Sequence, residues 1–183
     1  IDHSAASTSG LYNEVKMDWD DEILDYAGLK KAQLPPVVST THMEKLQDGA
    51  AQAMGLPAGL PVVIGATDGV LVNVGIGSVQ PGQLSATIGT SGALRMLTEK
   101  PLTDKKMRTW CYNLVDDMWV AGGAINNGGM ILRWVRDKVC HYTPHHLENL
   151  DVDGYDLMTM KAAHVAAGAE GLIMLPSFTG ERA

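Results

Sequence analysis

Cysteine is scarce: Cys111 and Cys140 are the chain's two, far apart and without a Cys-x-x-Cys. That pattern gives no disulfide framework and argues against a thiolate zinc site. Aromatic residues make up only 5% of the 183 positions and Phe occurs once, so the core is expected to come from Ala, Val, Ile, Leu and Met. The strongly apolar runs are short, and Leu60-Pro61-Val62-Val63-Ile64 is far from long enough to cross a bilayer. Basic residues are outnumbered, 14 against 21 acidic, for a net charge of −7. Such a chain repels phosphate backbones and anionic lipids, which sets aside nucleic acid and membrane as main partners. No signal peptide is visible, although the sequence opens at Ile1 without Met, and a reduced, cytoplasmic setting is expected.

What is present is ordinary globular material: 45% hydrophobic, 20 Gly and 8 Pro, enough for one domain or pieces of two. Charge is unevenly placed. Up to Asp68 there are 4 basic and 10 acidic residues, net −6, and the remainder has 10 and 11, net −1. Asp18, Asp20, Asp21, Glu22 and Asp25 lack a calcium-loop spacing and suit the start of a helix over Glu22–Tyr26.

The pattern along the chain alternates helices and strands, which indicates an α/β fold. Thr41-x-x-Glu44 reads as a capping box before Met43, Leu46, Ala50, Ala53 and Met54, with Gly55 as the stop. Leu60–Ala66 is a continuous apolar run that predicts a strand buried on both faces. A small-residue helix over Gly69–Gly75 follows Asp68. Gln83–Ile88 and Ala93–Leu97 alternate around Gly89-Thr90-Ser91-Gly92 and predict a hairpin. Trp110–Val115, Asp116-Asp117 and Met118–Ala121 predict a second. Asn127–Val139 and Asp156–Ala167 read as helices, the latter ended by Gly168. Gly171–Leu175 reads as a buried strand stopped by Pro176.

Several catalytic signatures fail. Gly75-Ile76-Gly77 has Gln80 where a dinucleotide fingerprint needs its third glycine, and no Gly-x4-Gly-Lys-[Ser/Thr] occurs. Ser91 misses a nucleophile elbow by one residue. His141 and His145 stand four apart, but Pro144 between them disfavours the helix that would make them a metal pair.

Three elements survive. Asp68, in Gly65-Ala66-Thr67-Asp68-Gly69 after a strand, could face a ligand crevice and take a proton from an attacking hydroxyl, or could be a turn or N-cap residue. Gly89-Thr90-Ser91-Gly92 could form an anion-binding nest of amides at positive φ with two hydroxyl donors, or a plain glycine-rich turn. Gly122-Gly123-Ala124-Ile125-Asn126-Asn127-Gly128-Gly129 enters the helix bearing Arg133 and Trp134, giving either an anion site at a helix N-terminus or close packing. Together they suggest a nucleotide phosphate site facing a base.

The order of these motifs resembles the FGGY carbohydrate kinase family. The likeness starts at Ala6-Ser7-Thr8-Ser9-Gly10-Leu11-Tyr12-Asn13 and runs through Leu60–Gly69, Pro81-Gly82 and Gly89–Ala93. It continues with Asn126–Gly129, Arg133–Asp137, Leu175-Pro176 and Gly180-Glu181-Arg182-Ala183. The resemblance implies a ribonuclease-H-like (actin-like ATPase) fold with parts of two domains: residues 1–77, the end of a sugar-binding domain, and 78–183, the start of an ATP-binding one. It implies that Asp68 is the catalytic base, with Thr67, Asp68 and Gly69 at the sugar. Gly89, Thr90 and Ser91 would hold phosphate, and Gly129 and Arg133 would contact ATP, although glycerol kinases carry Gln at the Arg133 position. ATP with Mg²⁺ on its phosphates, and a sugar or sugar acid, are the implied ligands; no protein metal site is expected, and a homodimer is a candidate assembly.

Family members open with a Gly-x-Asp-x-Gly-[Thr/Ser] phosphate loop and later carry a Gly-Gly-Gly adenine segment. Neither is in these 183 residues, which therefore read as a middle third expected to show no turnover by itself. Gly-Ala-Thr-Asp-Gly followed by Asn-Asn-Gly-Gly looks most like kinases of gluconate, implying 6-phosphogluconate as product. Xylulose or another pentulose or polyol is the alternative acceptor. A non-catalytic sugar- or nucleotide-binding relative is the alternative of another class, against which Asp68 and the intact Gly89-Thr90 pair argue.

Overall fold

The computed structural model describes residues 1–147 and 152–181. They pack as two units: residues 1–85 with 94–123, and residues 86–93 with those from 124 onward.

In the first unit, helix α1 (His3–Ser7) begins where the Asp2 carboxylate accepts the Ala5 N–H at 3.0 Å. Strands β1 (Tyr12–Asn13) and β2 (Asp18–Trp19) form a short antiparallel pair. Helix α2 (Asp21–Ala27) starts at Asp20, whose carboxylate caps the Glu22 and Ile23 N–H groups, and stops at Gly28 with φ 68°. The acidic run is thus a helix start, as its spacing suggested. Here Tyr12 and Trp19, meeting edge to face at 6.4 Å, are buried with Ala6 and Leu24. Two of the chain's few aromatics therefore centre a core that composition had assigned to aliphatic residues.

The next stretch departs from the expected pattern. Thr41 caps no helix, because Met43–Lys45 is strand β3, paired with β4 (Pro61–Val63). Helix α3 (Asp48–Met54) begins later and ends, as expected, at Gly55 with φ 67°. The apolar run at β4 is not buried on both faces: among the described strands it pairs with β3 alone, and Val62 and Val63 are about half exposed. Helix α4 (Asp68–Gly75) follows.

Strands β5 (Leu84–Ile88), β6 (Gly92–Thr98), β7 (Trp110–Val115) and β8 (Met118–Ile125) form one sheet in the order β5-β6-β8-β7. Both predicted hairpins are present. Val70 from α4 joins Leu97, Leu114 and Val120 in a second buried cluster. Beside it, buried Asn73 accepts the Ser85 hydroxyl at 2.9 Å and donates to the Ser78 carbonyl.

In the second unit, α5 (Gly129–Trp134) runs on through a π-helical turn, Val135–Val139. Helices α6 (Pro144–Leu147) and α7 (Gly154–Ala162) follow. Helix α7 ends several residues before Gly168. The His164 ring nitrogen Nδ1 lies 2.8 Å from the Met160 carbonyl that a continuing helix would need, and the His164 N–H turns instead to Lys161. Residues 171–175 form no strand, and Leu172, Ile173 and Leu175 are more than four-fifths exposed. Apolar runs predict burial only where a neighbouring element covers them, and no described strand pairs with this one. Cys111 and Cys140 are free thiols, and burial pushes that of Cys111 up to about 11. No described helix is long and apolar enough to cross a membrane.

A pair of adjacent glycines tests the sheet packing. A Cβ at Gly122 would lie 2.4 Å from the Leu94 carbonyl oxygen and 2.7 Å from the Trp110 ring, whereas one at Gly123 would meet nothing. In the full-length protein, Gly122→Ala is expected to lower unfolding free energy by about 1–3 kcal/mol and Gly123→Ala by far less. Equal urea midpoints for the two variants would contradict this packing.

Candidate functional site

Asp68 occupies the first position of α4, with Thr67 as the N-cap. The Asp68 carboxylate is exposed and hydrogen-bonds to no described residue, so it does not cap the helix. Geometry thus withdraws the capping role that competed with a chemical one. The chain reaches Asp68 through Gly65 at φ +77°, a conformation natural to glycine. The Thr67 N–H, which no helical carbonyl can take, is accepted by the buried Ser4 hydroxyl at 2.8 Å. Thr67 Oγ1 is buried and has no hydrogen-bond partner among the described residues. Gly69 is the second residue of α4.

The other candidates lie in the second unit. The hairpin tip does not form the expected nest, since neither Gly89 nor Gly92 has a positive φ. Its geometry comes from elsewhere. The Gly89 carbonyl accepts the Gly129 N–H at 2.6 Å, and the Thr90 carbonyl accepts the Gly128 N–H at 3.0 Å and the Met130 N–H at 3.5 Å. Both of these peptides are trans, so the N–H on the far side of each peptide plane points the opposite way. Those are the N–H groups of Thr90 and Ser91, turned away from α5. Both residues are exposed, and neither their N–H groups nor their hydroxyls bond to a described residue. Two N–H groups and two hydroxyls on adjacent exposed residues are thus left without a described partner, and no lysine is needed to offer donors to a phosphate group.

The same contacts overturn the helix-terminus reading of the glycine-rich entry. The first N–H groups of α5 are spent on the hairpin, and the helix is short. A Cβ at Gly128 would sit 2.6 Å from the Ser91 backbone, and one at Gly129 would sit 2.7 Å from the Gly89 oxygen. These glycines serve close packing. Arg133 follows Gly129 by one turn on the same helix face and is exposed.

Sequence reasoning missed the clamp behind this junction. Asn127, 3% exposed, donates to Glu181 Oε1 at 2.7 Å and to the Gly180 carbonyl at 2.9 Å. Its side-chain oxygen accepts the Thr179 hydroxyl at 3.0 Å and the Thr179 N–H at 3.3 Å. Glu181 Oε2 accepts the Asn126 N–H at 2.8 Å. The Asn-Asn pair was visible in the sequence, but its partners lie more than fifty positions on. Arg182 and Ala183, which end that motif, lie outside the described residues. Nearby, Trp134 and Phe178 meet edge to face at 4.8 Å and line an apolar cavity of ≈ 510 Å³ with Met130 and Ile131. Among the described residues no three His, Cys, Asp or Glu side chains cluster as a metal site, His141 and His145 included.

The clamp yields a pH-dependent expectation. Asn127→Ala deletes the hydrogen bonds of a buried amide to exposed partners and should cost about 1–3 kcal/mol in all. Asn127→Asp sets a second carboxylate against Glu181, so at neutral pH it should be the worse of the two, recovering as acid protonates one of the pair. Denaturation midpoints across pH 4–8 check this (the window is roughly where coupled carboxylates titrate); a pH-independent gap between the variants would count against the clamp.

Residues 1–75 match the N-terminal domain of the FGGY family of carbohydrate kinases, and residues 84–183 match the C-terminal domain. The gluconokinase of Bacillus subtilis is 43% identical over 184 residues, covering 100% of this chain and 36% of that protein. The crystal structure of a gluconate kinase from Lactobacillus acidophilus superposes with TM-score 0.84 at 30% identity, over 100% of this chain and 35% of its own. A ligand-bound xylulose kinase from the same organism gives 0.84 at 29%, with the same coverage. The chain thus spans about a third of the length of these relatives. Its α/β architecture is the ribonuclease-H-like fold of actin-like ATPases. With both of the family's domains matched in sequence along nearly the whole chain, this protein belongs to the FGGY family of carbohydrate kinases.

Proposed function

We propose that the full-length protein transfers the γ-phosphoryl group of ATP to a hydroxyl of a sugar acid, with gluconate as acceptor and 6-phosphogluconate as product. The observation that carries the kinase reading is the hairpin tip, where Thr90 and Ser91 present four unspent donors to solvent. Mg²⁺-bound ATP supplies the transferable group and part of its counter-charge. In this reading Thr90 and Ser91 hold phosphate oxygens through N–H and O–H donors. Arg133, one turn into α5, adds positive charge on the nucleotide side. Asp68 takes the proton of the attacking hydroxyl, which its exposed carboxylate, free of any capping bond, is able to do. Thr67 and Gly69 shape the backbone on either side of it at the sugar. Residues 1–77 then belong to the sugar-binding domain and 78–183 to the ATP-binding domain.

Gluconate is preferred on the 43% identity to a gluconokinase. Xylulose is the second reading, favoured by the equal TM-score of a xylulose kinase. Purified full-length protein assayed with ATP against gluconate, xylulose and glycerol is expected to give its highest kcat/KM with gluconate. A higher value for xylulose would reassign the acceptor, and no turnover with any would sink the kinase reading.

Thr90→Val keeps shape but removes a hydroxyl donor, and should weaken ATP use by about 1–3 kcal/mol with little change in sugar binding. Unaltered ATP kinetics would reduce the hairpin to a turn. Asp68→Asn keeps size and hydrogen-bonding reach but cannot accept the proton. Its turnover should fall at least about 10²-fold with ATP affinity nearly unchanged. Turnover within a few-fold of wild type, in a folded sample, would remove Asp68 from the chemistry.

A further inference from the structure

We infer that Ser4 is a positioning residue for Asp68, acting through a buried chain of hydrogen bonds that begins at the Asp2 carboxylate. The inference rests on the reading of Asp68 as the base.

Ser4 is fully buried, on a short helix distant in sequence from Asp68. Its hydroxyl donates to Asp2 Oδ1 and accepts the Thr67 N–H at 2.8 Å. Asp2 is itself buried and is the N-cap of α1. Its surroundings are fixed by a two-way backbone pairing: His3 N–H to the Val38 carbonyl at 3.0 Å and Val38 N–H to the Ile1 carbonyl at 2.9 Å. A carboxylate anchored in this way polarises the serine hydroxyl and strengthens it as an acceptor.

Among the N–H groups at the start of α4, that of Thr67 is the one a described side chain accepts. It precedes the helical ladder, and the Thr67 side chain forms no cap. Gly65 at φ +77° and Ala66 leave the approach without large side chains to hold it. The Ser4 bond therefore fixes the Ala66–Thr67 peptide, one residue before Asp68, while the Thr67 carbonyl is held by the Val70 and Leu71 N–H groups. A carboxylate that must meet a hydroxyl in line with a phosphoryl group loses rate steeply when displaced by fractions of a bond length.

The test is a double-mutant cycle in the full-length protein, with kcat and KM measured separately. Ser4→Ala should lower kcat by roughly 10- to 10²-fold with KM for ATP almost unchanged. Added to Asp68→Asn it should cause little further loss, since the group it positions is already disabled. Ser4→Thr, which keeps the hydroxyl, should retain more turnover than Ser4→Ala. Should Ser4→Ala fail to fold, Asp2→Asn removes the charge while keeping an acceptor for the Ser4 hydroxyl and the Ala5 N–H, and should show the same kcat-selective, non-additive loss. Normal kcat in a folded Ser4→Ala (or, failing that, Asp2→Asn), or losses that multiply with Asp68→Asn, would overturn the inference while leaving Asp68 as the base. An inert Asp68→Asn would instead overturn the base assignment, and this inference with it.

Discussion

The docking of two hairpin carbonyls onto the start of α5 is the constraint on which the phosphate-binding reading depends. Once Gly89 and Thr90 turn their oxygens toward the N–H groups of Gly129 and Gly128, peptide planarity leaves no freedom to the next two amides. They must face away, and there they bond to no described residue. The approach is so close that a side chain at position 128 or 129 would collide with hairpin backbone. Asn127 holds the junction from behind with an amide that is fully used, and Glu181 closes it by accepting from both Asn126 and Asn127. A site made of backbone donors also explains how a chain with a net charge of −7 could hold phosphate without concentrating lysines.

The parts legible in the sequence were those governed by local periodicity. Alternation located both hairpins, and the apolar face from Met130 to Val139 located α5 with its π-helical continuation. The change from an apolar run to small residues placed Asp68 at the start of α4. Glycine was legible as a position but not as a mechanism. Gly89 and Gly92 suggested positive φ, and Gly128 and Gly129 suggested an open helix terminus. In the structure Gly128, Gly129 and Gly92 relieve steric contact instead, Gly92 against the Ile125 side chain. Composition cannot separate these uses, because both ask only that Cβ be missing.

Long-range pairing explains most of the remaining differences. Thr41-x-x-Glu44 has capping-box spacing, yet β4 offers Met43–Lys45 strand pairing that a helix would forfeit. Asn127 finds Thr179, Gly180 and Glu181 across a stretch of chain no periodicity spans. In the apolar runs at 60–66 and 171–175 hydrophobicity is the only signal, and burial depends on a covering element, which a run does not encode.

The two candidate features follow one physical rule, applied in opposite senses. At the hairpin, carbonyls are satisfied so that the amides across each peptide plane remain free to bind. Before α4, an amide that would otherwise be an orphan is satisfied by Ser4, so that the carboxylate after it is held without spending its own oxygens on a cap. Chemistry at a surface needs polar groups left unpaired, and such a group holds its place when the backbone beside it is paired. That requirement accounts for the buried polar residues beside these segments: Ser4 and Asp2 before α4, and Asn127 behind the hairpin. A larger apolar residue at any of the three would bury more surface, but it would release the backbone whose orientation the exposed donors and the free carboxylate inherit.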